Sequence, residues 1–390
     1  MTTHAFINGR VLSGGQVRDD AVVVVADSRI ERIDTADALP DDCDEVHDLD
    51  GRYLLPGFID IQVNGGSGVL FNDRPDTEAI EAIAAAHYRF GTTGFLPTLI
   101  SDELDVVRRA MVATDAAIAN GIAGVIGIHV EGPFLNPERR GVHDERKLRQ
   151  LTVAVAEAFE PIRNGRTLLT IAPEAAEPEA IRVLAQKGFV VSAGHSDATY
   201  EQTIAAIGQG LRGFTHLFNA MSQMRVREPG VVGAALDDEH TWAGIIVDGH
   251  HVSPASVRIA CRCKGPDRIM LVTDAMPPVG SALTEFSLLG RRVVVEDGIC
   301  RDTDGTLAGT AIGMSDAFRN IIGITGCTIA DASRMASLSP ATFLGIDGMT
   351  GSIEPGKRAD LIVADEDFNV AMTMIGGRVV WAADQALASA

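Results

Sequence analysis

Five chemistry-bearing positions stand at the ends of apolar, strand-like runs. Val125-Ile-Gly-Ile-His-Val130 ends in Glu131-Gly132-Pro133, and Val190-Val-Ser-Ala-Gly194 ends in His195. Phe214-Thr-His-Leu-Phe carries His216, a later run ends in Asp248-Gly-His250-His251, and Ile269–Val272 ends in Thr273-Asp274. Each residue alone has an ordinary reading. A strand-end histidine can simply be hydrogen-bonded, a strand-end Asp can cap the next helix, and Glu131 can be a solvated loop acid. Together they suggest more, because one carboxylate with two imidazoles suits a catalytic divalent metal and leaves a position open for water. Glu131, His195 and His216 are therefore the expected ligands, with zinc the first choice of metal and iron, cobalt or manganese the alternatives.

For residues so far apart in sequence to meet, the fold must gather strand ends. Strand-like runs occur at Gly57–Val63, Gly94–Leu99, Val125–Val130, Leu168–Ala172, Val190–Gly194, Gly213–Phe218, Ala243–Val247 and Ile269–Val272. Helix-like stretches separate most of them, among them Thr77 to Phe90, Asp102 to Asn120 and Tyr200 to Gln209. The alternation predicts parallel strands with right-handed crossovers. About eight repeats predict an α/β fold of the (β/α)8 TIM type, whose strand C-termini line one pocket. The absence of a glycine-rich fingerprint after the first strand argues against a dinucleotide-binding sheet.

Both chain ends read as short strands, including Ala5 to Ile7, Ala21 to Ala26, Asp360-Leu-Ile-Val-Ala and Gly376 to Trp381, with the polar stretch Asp41 to Asp44 as punctuation. Residues 1–55 and 350–390 are thus expected to form a small β-sandwich domain, and residues 56–349 the barrel. The segment 284–302, with Leu288 to Val295 followed by Asp297-Gly298, reads as a hairpin that could join the small domain or lie over the barrel mouth.

Composition narrows the function. The 390 residues carry a formal net charge of -20, which argues against nucleic acid or an anionic membrane as the main partner. Five cysteines, with Cys261 and Cys263 one residue apart, fit neither a disulfide framework nor a C-x-x-C metal site. No basic leader with an apolar core opens the sequence and no apolar run approaches a membrane span. A soluble cytoplasmic protein is expected.

His129-Val-Glu131-Gly-Pro-Phe134, Gly194-His195-Ser196, Thr215-His216-Leu-Phe-Asn219-Ala220-Met221 and Val272-Thr-Asp274-Ala275 resemble the motifs of the N-acetylglucosamine-6-phosphate deacetylase family. Pro56-Gly57-Phe-Ile-Asp60 and Gly351 to Ile362 resemble the amidohydrolase superfamily more widely, so the resemblance spans nearly the whole chain. It implies hydrolysis of the acetamide of N-acetyl-D-glucosamine 6-phosphate to D-glucosamine 6-phosphate and acetate. In that reading Asp274 is the general base and acid, although it could also be a fourth metal ligand, and His143 contacts the acetamido carbonyl.

The resemblance further implies a substrate pocket of Val142, His143, Asn219, Ala220, Arg227, His251, Leu307, Ala308 and Gly309. Arg225 is a rival for Arg227 as the phosphate-binding arginine, and such an arginine can reach in from a neighbouring subunit, so a homodimer is expected. One departure stands out. Many amidohydrolases carry His-x-His at the end of the first strand, whereas this chain has Gln62-Val63-Asn64. Neutral amides are weak zinc ligands, so a single metal is expected, with the second-metal position vacant at Gln62 and Asn64. The alternatives are an amidohydrolase for another N-acyl or cyclic amide, or a barrel that has lost its chemistry. The second would lack ligands that are all present here.

Overall fold

The computed structural model describes residues 2–19, 21–35, 43–296 and 298–383. Expectations that fall on Asp41, Asp42, Asp297 and residues 384–390 lie outside the described residues. Eight parallel strands run Phe58–Val63 (β1), Thr92–Ile100 (β2), Gly127–Glu131 (β3), Arg166–Ile171 (β4), Val190–Ala193 (β5), Leu211–Phe214 (β6), Trp242–Ile246 (β7) and Ile269–Val272 (β8). They pair in strict chain order. A parallel bridge from Val63 to Ala275 brings the first strand against the last. The fold is a (β/α)8 TIM-type barrel with a small β-sandwich built from both chain termini, as the alternation of runs predicts.

The helices form where caps and apolar faces coincide. Thr77–Tyr88 (α1) begins where the Asp76 carboxylate accepts from the Ala79 amide at 2.8 Å, and it buries Ile80, Ile83 and Ala84. Leu104–Ala119 (α2) and Tyr200–Gly208 fall within one or two residues of their expected bounds. The sixth strand is the main correction. Its hydrogen-bonded part ends at Phe214, so His216 lies beyond the strand instead of within it, and its φ of 36° marks the bend.

Two apolar layers show which side chains face inward. On β8, Ile269 and Leu271 pack in the layer shared with the helices. Met270 and Val272 pack with Ile59, Ile61, Leu168, Phe343 and Leu344 in a separate cluster. Asp274 continues the alternation of Met270 and Val272 and therefore leaves on the inner side. On β3, Ile128 and Val130 face the helices, so His129 and Glu131 point inward.

One sheet of the small domain sets Thr3–Ile7 between Ala21–Ala26 and Glu45–Asp48. The other pairs Leu361–Ala364 antiparallel to Tyr53–Pro56, which lies parallel to Arg10–Ser13. Phe6, Val23, Leu54, Leu361 and Met372 fill the space between them. The segment with two possible destinations packs over the barrel mouth. Glu285–Leu288, Arg291–Glu296, Ile299–Asp302 and Leu307–Thr310 form an antiparallel sheet. Leu288, Val293 and Ala308 of that sheet pack on Leu70, Ile100 and Met276. Among the described residues, no helix is long and apolar enough to cross a membrane.

Asp60 ties the barrel seam together. Its carboxylate accepts from the Gln62 amide at 3.2 Å, the Thr273 amide at 3.3 Å and the Thr273 hydroxyl. Burial pushes its pKa up to about 7, against the opposing pull of those hydrogen bonds. A carboxyl raised in the folded state stabilises the fold below about pH 4 and loses that contribution as pH rises through about 7. In Asp60→Asn this part of the pH dependence should vanish. Urea midpoints of both proteins at pH 5 and pH 8 test it, and equal slopes would refute the assignment.

Candidate metal centre and active site

Glu131 leaves the end of β3, His195 follows β5 and Gly194, and His216 follows β6. Their ligand atoms converge. Glu131 Oε1 lies 3.1 Å from His195 Nε2 and 2.9 Å from His216 Nε2, and the two nitrogens are 3.0 Å apart. All three side chains are buried. The backbone turns sharply to present them: φ is 48° at His195, 36° at His216 and 52° at Asp274, conformations rare for residues with a Cβ. Each such residue costs on the order of 1–3 kcal/mol and persists only where its surroundings over-determine it.

The charges respond to this crowding. Burial alone would raise the Glu131 pKa, but the two imidazoles against its carboxylate pull it well below the usual carboxylate range. Burial opposes a charge on His216, yet Glu131 outweighs that and raises its pKa. The His195 Nδ1–H donates to the Arg139 carbonyl at 2.8 Å, which leaves the Nε2 lone pair facing the cluster. A carboxylate oxygen and two imidazole nitrogens held this way fit a divalent transition cation.

Asp274, after β8, stands beside this centre. Its Oδ1 accepts from Asn64 Nδ2 at 2.6 Å and Gln62 Nε2 at 3.1 Å, and Gln62 Nε2 also reaches Glu131 Oε2 at 3.3 Å. Burial and the nearby Glu131 charge push the Asp274 pKa up to about 6. Both amide groups thus donate to carboxylates, and among the described residues the buried Asn64 Oδ1 has no hydrogen-bond partner.

His143 comes from the long loop after β3. Its Nδ1 accepts from the Ser101 amide at 3.2 Å and lies 2.7 Å from the Ser101 hydroxyl. Burial, then the nearby His195, holds its pKa well below the ordinary value. The ring is therefore neutral with its proton on Nε2.

A cavity of about 330 Å3 opens over these groups, lined by Glu131, His143, His195, His216, Asn219 and Asp274 among others. Asn64, Val142, Ala220, His251, Leu307 and Gly309 also line it, whereas Ala308 is buried behind the wall. His251 is oriented by Asp248, whose carboxylate lies 2.6 Å from His251 Nδ1 and is held near a pKa of about 2, the pairing overcoming burial. Arg227 and Arg225 are both exposed and line none of this cavity. Sequence reasoning overlooked Ser101, which orients His143, and named Asp248 without giving it the role of orienting His251. The Asp248-x-x-His251 spacing carries a signal for the second, but nothing near Ser101 marks the first.

This barrel with a histidine–carboxylate cluster at its C-terminal rim is the architecture of a metal-dependent hydrolase, and the chain belongs to the Amidohydrolase family, whose pattern matches residues 53–380. An N-acetylgalactosamine-6-phosphate deacetylase from Shewanella is 40% identical over 97% of this chain and 96% of its own length. N-acetylglucosamine-6-phosphate deacetylase from Pasteurella multocida superposes with a TM-score of 0.91 at 35% identity, covering 96% of this chain and 98% of that one. A mutant N-acetyl-D-glucosamine-6-phosphate deacetylase from Mycobacterium smegmatis, in complex with N-acetyl-D-glucosamine-6-phosphate, superposes at 0.88 with 30% identity over 97% and 99% of the two chains.

If the three-residue cluster holds a cation, His216→Ala should remove one equivalent of zinc per chain from protein reloaded after chelation. Elemental analysis provides the count, and an unchanged count in the variant would count against this centre.

Proposed function

We propose that this protein hydrolyses the acetamide of N-acetyl-D-glucosamine 6-phosphate, releasing acetate and D-glucosamine 6-phosphate. The observation that carries the reading is the convergence of Glu131, His195 and His216 beside Asp274 within one cavity. The extended similarity to deacetylases of N-acetylhexosamine phosphates supports the substrate class. We assign the chemistry to a barrel unit of residues 56–349, with residues 1–55 and 350–390 as its β-sandwich partner.

Glu131, His195 and His216 would hold one divalent cation, with zinc favoured by the nitrogen-rich ligand set. Such a cation lowers the pKa of its water toward about 7 and polarises an amide carbonyl. A single cation is supported by Gln62 and Asn64, since neutral amides are weak zinc ligands and their N–H groups serve Asp274 and Glu131. With Oδ1 held by those amides, Asp274 keeps Oδ2 for the proton of the attacking water and passes it to the departing nitrogen. The neutral His143, proton on Nε2, donates to the acetamide oxygen as negative charge develops there.

Asn219, the Ala220 amide and His251 would take the sugar phosphate and hydroxyls. Val142, Leu307, Ala308 and Gly309 would shape the sugar's wall. Arg227 is exposed on the loop after Ala220, beside Met224 and the fully exposed Val226. That position supports an arginine that serves the neighbouring subunit of a homodimer. The same enzyme would work in the cytoplasm, where its phosphorylated substrate class is retained. The 40% identical relative makes the C4 epimer, N-acetylgalactosamine 6-phosphate, a second reading worth an equal trial.

Acetate release is expected from the 6-phosphates and to be at least 100-fold slower from the free sugars; equal rates would remove the phosphate pocket. Comparison of the two epimers then ranks the readings. Asp274→Asn should keep its metal while losing roughly 10²–10⁴-fold in turnover. In the parent, turnover should fall on the acid side as Asp274 takes up its proton, at or below about pH 6. A variant at near-normal rate would end the proton-transfer role.

A further inference from the structure

The small β domain carries a second convergence of ligand atoms, away from the barrel mouth. His4 lies on the strand Thr3–Ile7, and Glu45 and His47 lie on Glu45–Asp48. The two strands are parallel, with His4 opposite Glu45 and Phe6 opposite His47. Residues two apart on a strand share a face, as do residues paired across it. The register therefore sets His4, Glu45 and His47 on one face of one sheet. None of the three lines the active-site cavity.

Their geometry resembles a coordination face. His4 Nδ1 lies 3.1 Å from His47 Nε2 and 3.2 Å from Glu45 Oε2, and His47 Nε2 lies 3.7 Å from Glu45 Oε2. These edges average about 3.3 Å, the ligand-to-ligand edge of a tetrahedron whose bonds are about 2.0–2.1 Å. A three-centre hydrogen bond from the His4 N–H is one way to join these atoms. A cation accepts all three lone pairs.

The surroundings hold the ligands and leave an approach. His47 is fully buried and stacks on Phe6, with ring centroids 4.8 Å apart and planes at 18°. The Thr3 amide donates to the Asp44 carboxylate at 2.8 Å, which pins the strands at the His4 end. Glu45 remains 37% exposed beside a cleft lined by Thr2, Asp27 and Arg378, so a fourth ligand could come from water.

We propose that His4, Glu45 and His47 form a second, structural site for a zinc-class divalent cation, which braces the N-terminal strand against the strand that carries Glu45 and His47. The site is separate from the active centre and its presence does not depend on the substrate. Protein stripped with a chelator and reloaded with zinc should carry two equivalents per chain. The double variant His4→Gln, His47→Gln should carry one and release acetate within about twofold of the parent rate. His216→Ala should also carry one. In the His216→Ala background, Glu45→Gln, a mild change at a half-exposed position, should weaken the remaining zinc at least tenfold by competition with a chromophoric chelator. One equivalent in the parent, two in the double variant, or unchanged affinity in Glu45→Gln would overturn the proposal. If instead His216→Ala keeps both zincs while the double variant loses one, the active-centre assignment fails and this site stands.

Discussion

The structure depends on placing a carboxylate and two imidazoles in contact out of water. Burying Glu131 by itself would be costly, because an ionised carboxylate loses its hydration in a low-dielectric interior. The contacts from His195 and His216 offset that cost only while the three ligand atoms stay within about 3 Å of one another. The rest of the barrel rim can be understood as the means of holding that arrangement. The left-handed turns at His195, His216 and Asp274 aim side chains inward where a regular strand would carry them past the mouth.

Around this centre lies a layer of hydrogen-bonding groups whose job is orientation. Asn64 and Gln62 hold Asp274, Ser101 sets the tautomer of His143, the Arg139 carbonyl sets that of His195, and Asp248 turns His251. Each removes a rotational or protonation choice from a group that must act in one state. Asp60 extends the same logic to the fold: it joins β1 to β8 through Thr273, next to Asp274, so barrel closure and base placement share one set of hydrogen bonds.

The small domain and the sheet over the mouth play different parts. The domain draws strands from both chain ends, so the N-terminal strands and the C-terminal strands are mutually dependent. The antiparallel sheet of residues 285–310 supplies Leu307 and Gly309 to the cavity wall while packing on Ile100 and Met276 of the rim.

Much of this was legible in the residue order. Apolar strand-like runs alternating with helix-like stretches point to the barrel because both patterns are local, and the ligand residues could be found because they sit where those runs stop. The local pattern also overextended the sixth strand through His216, since residues past a strand end can remain apolar while the backbone bends. Contacts between distant segments had no such trace. That Ser101 meets His143, that Gln62 and Asn64 donate to Asp274, and that His4 lies across from Glu45 follow from strand register and barrel closure. Those arrangements are decided only when the whole chain packs, because hydrogen bonds act over about 3 Å of space and not along the chain.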